Sequence, residues 1–244
     1  LALWPDGAVE KKFVVRDPDI RTTRKVRLLA GSFHSYQQQV VRLDFESAPA
    51  LSEEVEQKVV DSLRRTLPDA DILVISDYSL GNLTATVREQ ALRFAQELEV
   101  PVIVDSRDHP QRYPGATTVT PNISEVEKTL DIKIGRDLEK LESICGKLLD
   151  EWNLSSLLVT RGRLGLSLIS SAQTVHFDAY GSEGAVDVTG AGDTVAATFA
   201  TALASGASPD EAARLANIAG GLVVMKKGTA TVSTEEIKQE LTGN

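Results

Sequence analysis

One cysteine, Cys145, and three scattered histidines leave this chain of 244 residues without an intrachain disulfide, a cysteine-rich metal cage or a histidine set at metal-ligand spacing. Positive charge is short as well. Against 35 aspartates and glutamates stand 26 lysines and arginines, a formal charge of −9, so no surplus basic face exists to neutralise a nucleic-acid backbone. No apolar run approaches the roughly 18 residues of a membrane span, and no signal peptide precedes the first predicted strand. These absences point to an acidic cytoplasmic enzyme with a small-molecule substrate and with neither nucleic acid nor membrane as partner. What is present, 42% hydrophobic and 25% charged residues, suffices for one large α/β domain with a continuous core.

From about residue 70 onward, short β-branched runs alternate with amphipathic stretches, the pattern of βα units wound into a largely parallel sheet. Ile72 to Ile75, Val102 to Val104, Thr117 to Val119 and Leu157 to Val159 read as buried strands. Polar residues follow each of them: Asp77, Asp105, Asn122 and Arg161. In open α/β sheets ligands bind outside the carboxyl ends of the strands, so these four exits outline a cleft. Ser208-Pro209-Asp210-Glu211 and Ser233 to Glu236 are capping boxes that open helices, and Gly206 stops a helix that starts near Ala191. The first 46 residues differ. Val9 to Val15, Lys25 to Leu29 and Gln39 to Phe45 read as antiparallel strands of a small β-appendage, before a helix near Val55 to Leu67. The expected division is therefore a β-lid over 1–46 and an α/β core over 47–244.

Gly190-Ala191-Gly192 lies where a strand-like stretch gives way to that helix, so several backbone amides are uncovered and aimed at one place. Free amides and the helix dipole attract an anion there, and small residues let a phosphate approach closely. Asp193, in the first turn, is placed to accept a proton from a hydroxyl that attacks a phosphoryl group. A tight turn with a dipole-complementing aspartate fits the same four residues. No G-x-x-x-x-G-K-[ST] loop and no H-R-D or D-F-G set occurs, so phosphate handling would need another architecture.

The longer run Asp187-Val188-Thr189-Gly190-Ala191-Gly192-Asp193-Thr194 resembles the C-terminal signature of the PfkB, or ribokinase-like, carbohydrate kinases. Ser76-Asp77-Tyr78, Thr120 to Glu125, Leu158 to Arg161, Ala216 to Gly221 and Gly228 to Val232 follow in the family's order, so the likeness covers nearly the whole chain. Gln38 to Glu46 carries a narrower likeness to the D-glycero-D-manno-heptose 7-phosphate kinase branch of that family. The resemblance implies an α/β ribokinase-like fold, a largely parallel sheet flanked by helices with a small β-lid, and ATP-dependent phosphoryl transfer to a hydroxyl of a sugar or sugar phosphate. It makes Asp193 the catalytic base, and Gly190, Ala191 and Gly192 the anion hole. Asn122, Ile123, Ser124 and Glu125, with Thr160, Gly162, Asn217 and Gly220, become the ATP site. Glu125 is further implied to hold Mg²⁺ through water. Asn122 and Glu125 also fit a plain helix capping box, and Asn217 a satisfied core amide. Asp77 and Asp105 become candidates for sugar hydroxyls, though solvated strand ends would read the same. Arg107 and Arg42, with Lys25 and Arg27, become candidates for a substrate phosphate. The lid implies a homodimer that pairs through it.

Two departures weaken the substrate assignment. Heptose-phosphate kinases read S-D-Y-x-K-G and D-P-K where this chain has Ser76-Asp77-Tyr78-Ser79-Leu80-Gly81 and Asp105-Ser106-Arg107. Leucine cannot hold a phosphate, whereas arginine can with different geometry. Family members also begin with a segment carrying a Gly-Gly-Asn sugar-binding run that this sequence lacks. Two alternatives therefore stand beside a sugar kinase of the heptose type: a catalytically incomplete nucleotide-binding protein, and a kinase for another sugar or a nucleoside.

Overall fold

The computed structural model describes residues 10–30, 38–46, 51–181 and 184–243. A two-stranded ribbon comes first. Strands β1 (Arg24–Ala30) and β2 (Gln38–Phe45) pair antiparallel, with Lys25 opposite Asp44 and Arg27 opposite Arg42, and the register shifts between Leu28 and Leu29. The expected strand from Val9 to Val15 does not form. Val9 lies outside the described residues, and residues 10–15 carry a turn closed by the Val14 amide donating to the Lys11 carbonyl at 3.2 Å. Instead of joining a ladder, Lys12 to Arg16 line a cleft against the helix that follows the ribbon.

That helix, α1 (Glu53–Thr66), precedes β3 (Leu73–Asp77), α2 (Ala85–Glu97), β4 (Val102–Ser106), β5 (Thr118–Val119), α3 (Ile123–Leu130), α4 (Leu138–Glu151) and β6 (Ser156–Thr160). The four strands β3 to β6 lie parallel and side by side in chain order, as βα units require. Two further strands, β7 (Leu166–Ser170) and β8 (Thr174–Phe177), extend the sheet antiparallel. They are an addition that the βα pattern does not foretell, because a hairpin can follow β6 without a crossover helix. Helices α5 (Ala191–Ala204), α6 (Pro209–Val224) and α7 (Thr234–Thr242) complete the chain.

Successive strand residues point to opposite faces, and both faces of this sheet are apolar. Val102, Val104, Leu157 and Val159 join the core beneath α1 to α4, among Val87, Phe94, Val126 and Leu141. Ile103, Leu158 and Leu168 join the other core, with Val195 and Phe199 of α5 and Ala212 and Ala216 of α6. The central strands are thus covered on both sides, while at the edge strand β3 one face, at Val74 and Ser76, is exposed; the carboxyl ends of the strands are open to a ligand.

Helix α6 approaches so closely that its glycines cannot be larger. A Cβ on Gly220 would stand 2.9 Å from the Val195 methyl, and one on Gly221 would stand 2.3 Å from the Tyr180 carbonyl oxygen. Gly221→Ala is expected to lower stability by about 1–3 kcal/mol through overpacking, read as a lower midpoint of urea unfolding at unchanged slope.

Candidate active site

Among the described residues, six of the seven α-helices begin on a residue whose side chain accepts a hydrogen bond from a first-turn amide: Ser52, Thr84, Asn122, Asp137, Ser208 and Ser233. Helix α5 begins on Gly190 instead, at φ 81° and ψ 5°, and no side chain caps it. The left-handed backbone explains the glycine; the Ala191 amide donates to the Val188 carbonyl at 3.3 Å, and the Gly192 and Asp193 amides, with no side chain to cap them, are the ones open to an anion. Asp187 anchors the approach to this turn. Its Oδ1 accepts from the Thr189 amide at 2.9 Å and its Oδ2 from the Gly228 amide at 3.2 Å. The bonds from Thr189, helped by the Gly228 amide and the charge of Arg27, hold the Asp187 carboxyl below the usual carboxylate range. Arg27 thereby brings the ribbon into electrostatic reach of the glycine turn.

Asp193 is the third residue of α5, and its Oδ1 accepts the Tyr78 hydroxyl at 2.7 Å. Tyr78 follows the end of β3, and the Arg107 guanidinium, just beyond β4, sits 5.4 Å from the centre of its ring. Asp105, the penultimate residue of β4, lies beside them. Burial pushes its carboxyl up to about 6, and the charge of Asp193 adds to the rise while Thr120 and Arg107 oppose it. Burial likewise pushes Glu125 up to about 7 against the bond that its carboxylate accepts from the Asn122 amide, and Asp105 adds to the rise. Tyr78, Asp105, Arg107, Glu125 and Asp193 therefore form one electrostatic cluster at the carboxyl ends of β3 and β4 and the start of α5.

Asn122 makes both bonds of the capping box, accepting from the Glu125 amide at 2.9 Å while Glu125 accepts from its own at 2.8 Å. It also bridges to Thr160 at the end of β6, whose amide donates to the Pro121 carbonyl at 3.0 Å. The capping residues Asn122 to Glu125 and the strand end at Thr160 are thus joined, and Gly162 turns the chain away at φ 58°. Glu125 and Asp105 supply hard oxygen donors of the kind Mg²⁺ accepts while keeping most of its waters. Among the described residues no three His, Cys, Asp or Glu side chains converge on one point. An ion at these residues would have to be held largely through water and substrate oxygens.

Other candidates stand elsewhere. Asp77 is buried with both oxygens engaged: Oδ2 accepts the Tyr113 hydroxyl at 2.6 Å, and Oδ1 accepts the Ser79 amide at 2.8 Å. It braces the turn that carries Tyr78 and is neither a solvated strand end nor an oxygen offered to the cleft. Arg42 forks onto Asp44 at 2.8 Å from both Nε and Nη2, and Lys25 reaches Asp44 and Glu46 at 3.4 Å, so both cations are satisfied within the ribbon. The Asn217 amide donates to the Asp178 carbonyl at 2.7 Å and lines a separate cleft of about 350 Å³ with His176, Phe177, Tyr180 and Arg214. Gly220 faces Val195, which is a packing role. Sequence reasoning assigned no role to Tyr78, although it stands in the Ser76-Asp77-Tyr78 run; its partner is 115 residues away in the chain.

The brace under Tyr78 can be tested alone. Tyr113→Phe leaves the buried Asp77 carboxylate short of one donor, and an expected loss of about 1–3 kcal/mol appears as a lower denaturation midpoint.

The sequence profile of the pfkB family carbohydrate kinases matches residues 1–237. The bifunctional protein HldE of Geobacter sulfurreducens is 41% identical over 226 residues, covering 92% of this chain and 45% of that protein. HldE of Gluconobacter oxydans is 38% identical over 243 residues, covering 99% of this chain and 49% of that protein. The chain therefore spans about half the length of the curated relatives it matches. Among solved structures, phosphofructokinase-2 of Escherichia coli in complex with potassium superposes with a TM-score of 0.71 at 19% identity, over 82% of this chain and 65% of that one. Ribokinase of Arabidopsis thaliana, complexed with ribose and ATP, superposes with a TM-score of 0.69 at 20% identity, over 90% and 69%. The shared fold is the ribokinase-like one, with the mostly parallel sheet and flanking helices expected from the sequence. With the profile match spanning almost its full length, the chain belongs to the pfkB family of carbohydrate kinases.

Proposed function

We propose that this chain transfers the γ-phosphoryl group of ATP to a hydroxyl of a sugar phosphate, with a heptose 7-phosphate as the acceptor class. The observation that carries the reading is the uncapped start of α5 with the Asp193 carboxylate in its first turn, at the open end of the sheet. Asp193 takes the proton of the acceptor hydroxyl as that oxygen bonds to the γ-phosphorus. The bond from the γ-phosphorus to the bridging oxygen breaks, and ADP leaves with that electron pair. Amides of Gly190 to Gly192 face the charge that develops on the phosphoryl oxygens. An ionised carboxylate is a weak base, so positioning supplies most of its effect.

Mg²⁺, anchored through water by Glu125, supplies charge neutralisation to the polyphosphate. Arg107 is the cation placed for the acceptor's phosphate, since its planar fork matches phosphate oxygens. Arg42 serves that phosphate only by giving up Asp44. Thr160, Gly162 and the Asn217 cleft are the places proposed for the nucleotide. The ribbon is proposed as a lid and as the contact of a homodimer. Val41, Leu43 and Phe45, which share one face of β2, are all exposed, an apolar surface that a second copy would cover. Among the described residues no helix is long and apolar enough to cross a membrane, and the cytoplasm, where ATP is available, is the proposed location.

Asp193→Asn is expected to lower ATP-dependent phosphorylation of a heptose 7-phosphate by about 10²–10⁴-fold while ADP binding by calorimetry is retained. Turnover at the parent rate would refute the assignment of the base. A second expectation follows from the raised acids. Burial pushes Asp105 up to about 6 and Glu125 up to about 7, above their unfolded values, so the stability they contribute is present at low pH and lost as pH rises through that window. A bound cation favours their charged forms. Binding of MgADP at a pH between those values should therefore release protons, seen as a dependence of the calorimetric heat on buffer ionisation enthalpy, and Glu125→Gln should diminish the release.

A further inference from the structure

Among the described residues, four helices carry an acid at the third helical position: Glu125 in α3, Asp193 in α5, Glu211 in α6 and Glu236 in α7. In three of them the carboxylate folds back onto the amide of the capping residue, at 2.8 Å for Glu125, 2.9 Å for Glu211 and 2.8 Å for Glu236. That is the ordinary resting place of a glutamate at this position, because the first-turn amides and the dipole draw negative charge. Asp193, one methylene shorter, is the exception. No side chain caps its helix, although the Ala191 amide donates to the Val188 carbonyl at 3.3 Å, and its carboxylate is bonded outward to Tyr78.

Tyr78 is itself held. The buried Asp77 carboxylate takes the Tyr113 hydroxyl on one side and the Ser79 amide on the other, and Ser79 is fixed in a left-handed conformation at φ 57°. The Arg107 amide donates to the Asp77 carbonyl at 3.1 Å, which ties the exits of β3 and β4 together, and the Arg107 guanidinium lies over the Tyr78 ring. A non-glycine residue in that conformation persists only where its surroundings over-determine it. Here they aim one side chain.

We infer that Tyr78 is a positioning residue for phosphoryl transfer. Its hydroxyl holds Oδ1 of Asp193 away from the first-turn amides of α5, which keeps the anion hole open for the phosphoryl group and leaves Oδ2 to receive the acceptor's proton. The inference rests on the kinase reading above and adds to it a residue that acts through the base. Burial and the bond to Asp193 push the Tyr78 hydroxyl up to about 12, so it remains a donor throughout the neutral range. Without that donor the carboxylate is free to fall onto its own amides, where it would occupy the phosphoryl site with like charge.

The test is Tyr78→Phe, which removes the hydroxyl and keeps the ring beneath Arg107. With MgATP and a heptose 7-phosphate, kcat is expected to fall by about 10- to 100-fold, as misplacement of a reacting group does. KM for the acceptor and Kd for ADP should stay within about twofold, the signature of an interaction that matters at the transition state only. Thermal denaturation should be unchanged, since the side chain is 39% exposed. A parent-level kcat overturns the inference, and so does a fall in kcat matched by weaker ADP binding or a lower Tm, because either would mark a general disturbance. Asp193→Asn measured in parallel separates the two levels. If that variant turns over normally, the kinase assignment of the base fails and takes this inference with it. If it is inactive while Tyr78→Phe is unimpaired, only the role of Tyr78 fails.

Discussion

The amides at the start of α5 have no side chain to satisfy them, and the cleft is arranged around that one unmet requirement. A helix end buried or half-buried without a partner is costly unless a ligand or water supplies the missing acceptor. The other helices resolve the problem locally, through Ser, Thr, Asn or Asp at the cap. At α5 the local solution is withheld twice over: the cap is glycine, and the nearest carboxylate is bonded to Tyr78. Both features make sense together if an anion is to arrive from outside. The Asp187 bonds to Thr189 and Gly228 serve the same end, since they fix the path of the backbone into the turn without covering its amides.

The cleft's electrostatics set the other condition. Three acids, Asp105, Glu125 and Asp193, act on one another across it, and two of them titrate well above their ordinary range because they are withdrawn from water. Such a site repels a polyphosphate unless cations come with it. Arg107 supplies one fixed positive charge, and a hydrated dication would supply the rest.

Much of the framework was legible before any coordinates. The alternation from β3 to β6, the capping boxes of α3, α6 and α7, and the glycine turn ahead of α5 all arise from near neighbours in the chain, where periodicity and capping chemistry are informative. The hairpin of β7 and β8 was not, because its strands are short and owe their pairing to an existing sheet edge. Residues 10–15 erred in the opposite direction: a β-branched run without a ladder partner remains a turn. At the site, the burial of Asp77 was not legible, because it depends on the Tyr113 hydroxyl 36 residues away.

By itself the sequence determined the family, the alternation from β3 to β6 and the uncapped start of α5, since each depends on residue types at short or fixed spacing. Only the tertiary structure decided which way the side chains turn. It sent Asp77 inward, kept Arg42 and Lys25 with acids of their own ribbon, and brought Tyr78 to Asp193 across 115 residues. The physical reason is that a hydrogen bond forms over about 3 Å of space with no regard to distance along the chain, and only packing of the sheet and helices sets that space.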